Sequence, residues 1–199
     1  QLSLTACLIG LGLVQIIMGP LSDVHGRRRP VILSLIFYLS ASLVCAVSPN
    51  IYWFIAARFI QGFAASAGIV ISRAVVRDLY SGRELTRFFS LLMLVNNLFP
   101  LIAPVAGSIV ISLTAWVGVF LVLGAVGILL AVLATAGLKE TLPPERRISG
   151  NFGQLLKGIR SLLGDRQFLG YALAQGIMIG GIFAYVSGTP FIYQKIYGA

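Results

Sequence analysis

Few side chains in this sequence can take part in chemistry, so the place of each carries weight. Arg58 is the sharpest of them. It sits in Arg58-Phe-Ile-Gln61-Gly62, and its nearest charged neighbours along the chain are Arg29 before it and Arg73 after it. A charged side chain inside a membrane is costly and by default marks a functional interior. Gln61 follows one helical turn later, and Gly62 lets a neighbouring helix come close. On a helix that begins near residue 51, Arg58 lies about 9–10 Å deep at 1.5 Å per residue. A second reading stands beside the first, since that depth also lets an arginine snorkel to the outer headgroups. Arginine cannot shuttle protons, because its pKa exceeds about 12. Arg58 can tune a proton site electrostatically but cannot be one.

The second cluster is Gly19-Pro-Leu-Ser-Asp-Val-His-Gly-Arg-Arg-Arg-Pro30. Gly19 and Gly26 permit a tight turn and close helix approach. Asp23 offers a carboxylate to a helix N-terminus, and Arg27 can pair with a nearby acid, with Arg28 beside it. A third group is Pro100 and Pro104 with Gly107 and Ser108. Proline inside a membrane helix removes a hydrogen bond and kinks it, and small residues beyond it admit a neighbour.

What is missing narrows the chemistry. Cys7 and Cys45 fall inside apolar runs without metal-ligand spacing, and His25 is the single histidine. Buried thiols of this kind behave as small hydrophobes, so neither a metal nor a cofactor is expected. The sequence has no paired-histidine metalloprotease motif, no glycine loop for phosphate and no aspartate-rich prenyl-transfer motif. An enzyme is not expected.

The elements that must position these residues follow from composition. The chain is 58% hydrophobic and 11% charged, with a mean hydropathy of +0.94, far outside the range of soluble domains. A bilayer core about 30 Å thick takes about 20 apolar residues per helical span. Six such runs are present, near residues 2–20, 30–47, 51–76, 88–111, 117–138 and 167–190. The 51 positions from 88 to 138 hold no charge, too many for one span and right for two, with the break expected at Ser112–Trp116. No basic region precedes the first run, which therefore reads as a span rather than a signal peptide. The chain does not begin with Met, and residue 1 is expected not to be a native start.

Charge orients the spans. Of 15 Lys and Arg, 13 fall in or within a turn of the loops 20–30, 77–87 and 139–166, as do all six acids. Short loops rich in Lys and Arg stay in the cytoplasm, so these three loops are expected there. The net charge of +9 is thereby explained by topology, and no nucleic-acid partner is expected. Within 139–166, Phe152, Leu155, Leu156, Ile159, Leu162 and Leu163 recur at helical spacing with Lys157 and Arg160 between them. That pattern predicts an amphipathic helix, lying on the inner leaflet or packed on the protein.

Three motifs carry a resemblance. Gly19-x-Leu21-x-Asp23-x-x-Gly26-Arg27-Arg28 resembles the signature between spans two and three of major facilitator transporters. Arg58-x-x-Gln61-Gly62 resembles the fourth-span motif of that superfamily. Ala103-Pro-Val-Ala-Gly107-Ser resembles the fifth-span Gly-Pro-x-x-Gly-Gly motif of antiporters, with Ala for the first Gly and Ser for the last. With Arg73-Ala-Val-Val-Arg-Asp-Leu-Tyr80 and Lys139-Glu-Thr-Leu-Pro-Pro-Glu-Arg-Arg147, their order resembles the twelve-span drug:proton antiporters of the Bcr/CflA type, associated with bicyclomycin and chloramphenicol efflux.

The resemblance implies an all-α, polytopic transmembrane bundle, a partial major facilitator fold with six of twelve spans. Residues 1–138 would be the N-terminal half lacking its first span, 139–166 a cytoplasmic linker, and 167–199 the first span of the C-terminal half. Spans one and eight to twelve would be missing. It further implies proton-coupled drug efflux across the inner (plasma) membrane, with lipid, drug and protons as partners. Arg58, Gln61 and Gly62 would line the transport or proton path. Gly19, Asp23, Gly26, Arg27, Arg28 and Asp78 would form a conformational latch. In it Arg27 would pair with Asp78, and Asp23 would cap a helix of the second half. Pro104, Gly107 and Ser108 would form the antiporter kink. No Asp or Glu lies inside any of the six runs, so the coupling carboxylate is expected outside this chain, in the missing first span. Two other readings remain: a transporter of the same fold for another solute, such as a sugar or amino acid, and a non-transporting fragment.

Overall fold

The computed structural model describes residues 2–147, 161 and 163–192. It is helical, with α1 (Leu2–His25), α2 (Arg28–Ala46), α3 (Ile51–Leu79), α4 (Gly82–Leu113), α5 (Trp116–Gly137), a short 3-10 turn at Pro144–Arg146, and α6 (Arg166–Ile192). Among the described residues five helices, α1 to α5, are long and apolar enough to cross a membrane. The sixth expected span coincides with α6. The chain divides into two compact units, Leu2–Ser149 and Gly150–Ala199. The stretch that opens the expected linker, 139–147, therefore belongs to the first unit. The amphipathic helix expected at 152–163 lies outside the described residues, apart from its last positions.

The break inside the long charge-free run falls at Thr114 and Ala115, within the stretch the sequence marks. The end of α1 differs from expectation. A turn-rich loop is predicted from Gly19, yet the helix continues through Pro20 to His25. Gly19 and Pro20 both disfavour a helix there, proline by its missing N–H and its ring; the Ser22 hydroxyl donates to the Gly19 carbonyl at 2.8 Å within that turn. The chain reverses at Gly26, whose φ of +85° favours glycine.

α3 is the central element of the first unit. Val14 and Met18 of α1 pack with its Ala67 and Ile71. Towards the other end, Cys45 and Ala46 of α2 and Phe120 of α5 pack around its Ala57. The contacts with α1 are backbone-close. A Cβ on Gly62 would collide with the Cys7 carbonyl, and one on Gly10 with the Phe59 carbonyl. Small residues that bring backbones together are how helices associate in lipid, where apolar side chains gain little by leaving it. α5 lies against α2, with Gly127 facing Tyr38 and Leu39. α4 buries none of its residues.

Candidate functional site

Two polar assemblies stand out in the first unit, one inside the bundle and one at its charged end. The inner one starts from Arg58, seven residues into α3. Its Nη1 donates to Gln61 Oε1 at 2.5 Å. Gln61 Nε2 donates to Ser42 Oγ on α2 at 2.8 Å, and the Ser42 hydroxyl donates to the Tyr38 carbonyl at 2.8 Å. Gln61 and Ser42 are buried, at 2% and 0% exposure. Such a line is worth keeping only if every member is satisfied, since an unpaired buried polar group costs about 1–3 kcal/mol.

Arg58 itself is half-buried, with its guanidinium carbon 5.8 Å from the centre of the Phe120 ring. That distance suits a cation–π contact. Phe120 in turn meets Phe54 and Trp116 edge to face at 5.4 and 6.2 Å. Among the described residues no carboxylate forms an ion pair with Arg58. With one of its five N–H donors on Gln61, the guanidinium offers a fixed positive charge and free donors to whatever approaches it. Gly62 makes the close α1 contact and offers no chemistry of its own.

The second assembly is centred on Arg27, which is 4% exposed. Its Nε donates to Asp78 Oδ2 at 2.8 Å, and Nη2 reaches Asp78 Oδ1 at 3.5 Å. Nη1 donates to Asp23 Oδ1 and to Ser22 Oγ, both at 2.6 Å. Burial alone would push the Arg27 guanidinium down. The hydrogen bonds to Asp78 and Asp23, and their charges, outweigh it and hold it above its ordinary value.

Glu140 completes this end. It accepts from the backbone N–H of Arg27 at 2.7 Å, of Arg28 at 3.3 Å and of Leu142 at 3.1 Å. Arg147 Nη2 lies 3.9 Å away. Partial burial would push the Glu140 carboxyl up, but these N–H groups and the Arg147 charge outweigh it and hold it below the ordinary carboxylate range. The N-cap position of α2 is Arg27, which makes no side-chain cap bond, so Glu140 satisfies donors that the helix start leaves open. Arg28 Nη2 donates to the Thr135 carbonyl in the last turn of α5 at 2.7 Å. The start of α2 and the end of α5 thus cap one another with charges of the sign each terminus favours. Thr141 Oγ1 donates to Asp78 Oδ2 at 3.3 Å, so α3 joins the same cluster.

The structure thereby brings Asp23, Gly26, Arg27, Arg28 and Asp78 together, and Gly19 lies one turn before them. A Cβ at Gly19 would make only an ordinary contact, 3.9 Å from Val70. Close approach therefore does not require Gly19. Gly26 does require glycine, both by its φ and because a Cβ would collide with the Glu140 carboxylate. Pro104 and Ser108 are exposed on α4, and nothing lies within 4 Å of a Cβ placed on Gly107. The helix remains continuous through Pro100 and Pro104.

Sequence reasoning missed Glu140, Ser22, Ser42 and Thr141. One signal pointed to Glu140: α2 starts after Gly26-Arg27 with no Ser, Thr, Asp or Asn at its cap, so its N–H groups need an acceptor from elsewhere. Nothing in the local pattern distinguishes Ser42 from Ser40.

A bundle of apolar helices with a buried Arg–Asp pair at one end and a half-buried arginine within a span is consistent with a membrane transporter domain. The chain matches the profile of the Major Facilitator Superfamily over residues 1–199. It belongs to that family and is a multi-pass membrane protein. It is 54% identical to the uncharacterized MFS-type transporter YdgK of Bacillus subtilis (strain 168), covering 100% of this chain and 50% of the relative. It is 33% identical to a bicyclomycin resistance protein homolog of Haemophilus influenzae, again over 100% of this chain and 50% of the relative. It is 27% identical to the multidrug resistance protein MdtL of Escherichia coli (strain UTI89 / UPEC), with 100% and 50% covered. The chain spans about half the length of the curated relatives it matches.

Proposed function

We propose that this chain serves in proton-coupled efflux of amphipathic drugs, of the bicyclomycin and chloramphenicol kind, as part of a Bcr/CflA-type antiporter working by alternating access. The observation that carries this reading is the line Arg58–Gln61–Ser42 within the spans, with a guanidinium that has no carboxylate partner among the described residues. An unpaired intramembrane charge is retained where a substrate or ion path uses it. Two relatives named for drug resistance support the choice of cargo. The proton is carried by a carboxylate outside this chain, and Arg58 sets the electrostatic potential that carboxylate feels.

The cluster at Arg27 acts as the latch. It sits at the charged end, away from the midplane where transporters of this type bind substrate, so it biases which side is open without touching cargo. The pairing of Arg27 with Asp78 and Asp23 supports that role.

The test replaces the matching half of the Bacillus relative with this chain and expresses the hybrid in cells sensitive to bicyclomycin and chloramphenicol. The unaltered hybrid should confer resistance. Arg58→Lys keeps the charge but loses the planar fork, and should abolish most of the resistance at equal expression. Asp23→Asn should leave drug binding near normal while efflux falls sharply. Resistance equal to the unaltered hybrid for Arg58→Lys would return Arg58 to the headgroups. A well-expressed hybrid that moves a sugar or amino acid and no drug would reassign the cargo.

A further inference from the structure

A groove of about 300 Å³ opens between α1 and α2. Met18 and Leu21 of α1, Leu33 and Phe37 of α2, and Phe63 of α3 supply its apolar lining, and His25 and Arg29 join it at the charged end of the bundle. From His25 back to Met18 the groove follows seven residues of helix, about 10 Å, and from Arg29 on to Phe37 about 12 Å. Leu33 and Phe37 are 56% and 53% exposed, so the groove lies open on the surface of the first unit. Pro30 and Ser34 complete a lining that is almost wholly apolar, while His25 and Arg29 at its end are both exposed.

Among the described residues Arg29, unlike its two neighbours, has no side-chain hydrogen bond or ion pair. Arg27 is taken by Asp23 and Asp78, and Arg28 by the Thr135 carbonyl. Arg29 forms no ion pair among the described residues. His25 Nδ1 lies 3.2 Å from the Leu21 carbonyl, which leaves Nε2 for an outside group. The nearby carboxylates of Asp23, Asp78 and Glu140 are all engaged within the Arg27 cluster.

We propose that this groove holds an acyl chain of an anionic phospholipid from the cytoplasmic leaflet, whose phosphate meets Arg29 and His25. The charge complementarity is that of a basic pocket between spans on the cytoplasmic side, which attracts anionic headgroups. The apolar walls select a lipid over a free anion, since an inorganic phosphate would gain nothing from Leu33 or Phe37. A second copy fits worse, because a two-fold contact sets the same patch against itself and would bring two basic rims together.

The experiment places a single reporter in the groove. Trp53 and Trp116 are changed to Phe and Phe37→Trp is introduced; the chain is then reconstituted with phosphatidylglycerol or phosphatidylcholine brominated on the acyl chains. Phosphatidylglycerol should reach half-maximal quenching at a mole fraction about fivefold lower, the effect of one basic residue at a membrane surface. Arg29→Gln should remove that preference, Arg29→Lys should keep it, and Arg83→Gln, an exposed cation elsewhere on the charged side, should leave it intact. Equal quenching by both lipids overturns the proposal, as does equal loss in Arg83→Gln. A preference erased by inorganic phosphate would assign the rim to the free anion. No quenching by either lipid, with a disulfide-linked dimer of Leu33→Cys, would assign the groove to a second copy.

Discussion

Arg27 and Glu140 show how one short turn can organise several helices. The Arg27 side chain holds Asp23 and Asp78, while its backbone N–H is held by Glu140, 113 residues away in sequence. The Glu140 carboxyl lies below the ordinary range, so the folded state favours its charged form. Its stabilising effect is therefore full above the unfolded pKa and is lost as pH falls through the depressed folded value. Glu140→Gln should lower stability at neutral pH by about 0.5–2 kcal/mol, the usual worth of a helix cap. Thermal unfolding of the two proteins in detergent should show the gap at pH 7 and its narrowing in acid, once the native carboxyl is protonated. A gap of the same size at every pH would mean that Glu140 acts by packing and not by charge. The Arg27–Asp78 pair was open to motif reasoning because both residues stand in recognisable patterns. Glu140 also stands in a motif, but its role was not read, because a carboxylate serving backbone N–H groups leaves no periodic trace in the sequence.

At the scale of elements, the spans were legible and their contacts only partly so. Long apolar runs marked α1 to α5, since a bilayer admits little else than a continuous helix, but the end of α1 and the start of α4 lie five and six residues from the expected positions. Which glycines matter was only partly legible: Gly62 was read as a close-packing residue and makes such a contact, but a motif glycine and a packing glycine can look alike. Gly19 belongs to the motif yet has ordinary space around it, whereas Gly10 belongs to none and touches the α3 backbone. Gly10→Ala and Gly62→Ala should each force α1 away from α3 and cost about 1–3 kcal/mol, as overpacking does. Gly19→Ala should be close to neutral or slightly stabilising, since alanine favours a helix over glycine by about 0.5–1 kcal/mol. Melting temperatures of the three variants decide between these. A loss at Gly19 as large as that at Gly62 would show that α1 is held by more than the contact it makes here. α4 is the contrasting element. None of its residues is buried, although Leu85, Phe88 and Leu92 are partly covered, so its pattern predicted a span but not a partner.

For the first unit as a whole, side-chain geometry shows which turns share an end of the bundle without any charge count. Arg27, Asp78, Thr141 and Glu140 touch, so the α1–α2 turn, the end of α3 and the segment after α5 share one end of the bundle. Phe54, Trp116 and Phe120 touch, and Cys45 and Ala46 pack with Phe120, so the α2–α3 turn and the start of α5 share the other. The first end carries the arginines, and the positive-inside rule places it in the cytoplasm. Single cysteines test this once Cys7 and Cys45 are changed to Ala. Ser48→Cys and Asn50→Cys should react with an impermeant maleimide in intact cells. Ser81→Cys, in the turn before α4, should react only after the membrane is opened. The two ends must answer oppositely, because helices that bind one another at Arg27 and at Phe120 cannot place both turns on one side. Labelling of Ser81→Cys in intact cells, with Ser48→Cys protected, would invert the protein and move the Arg27 latch and the Arg29 groove to the outer leaflet together.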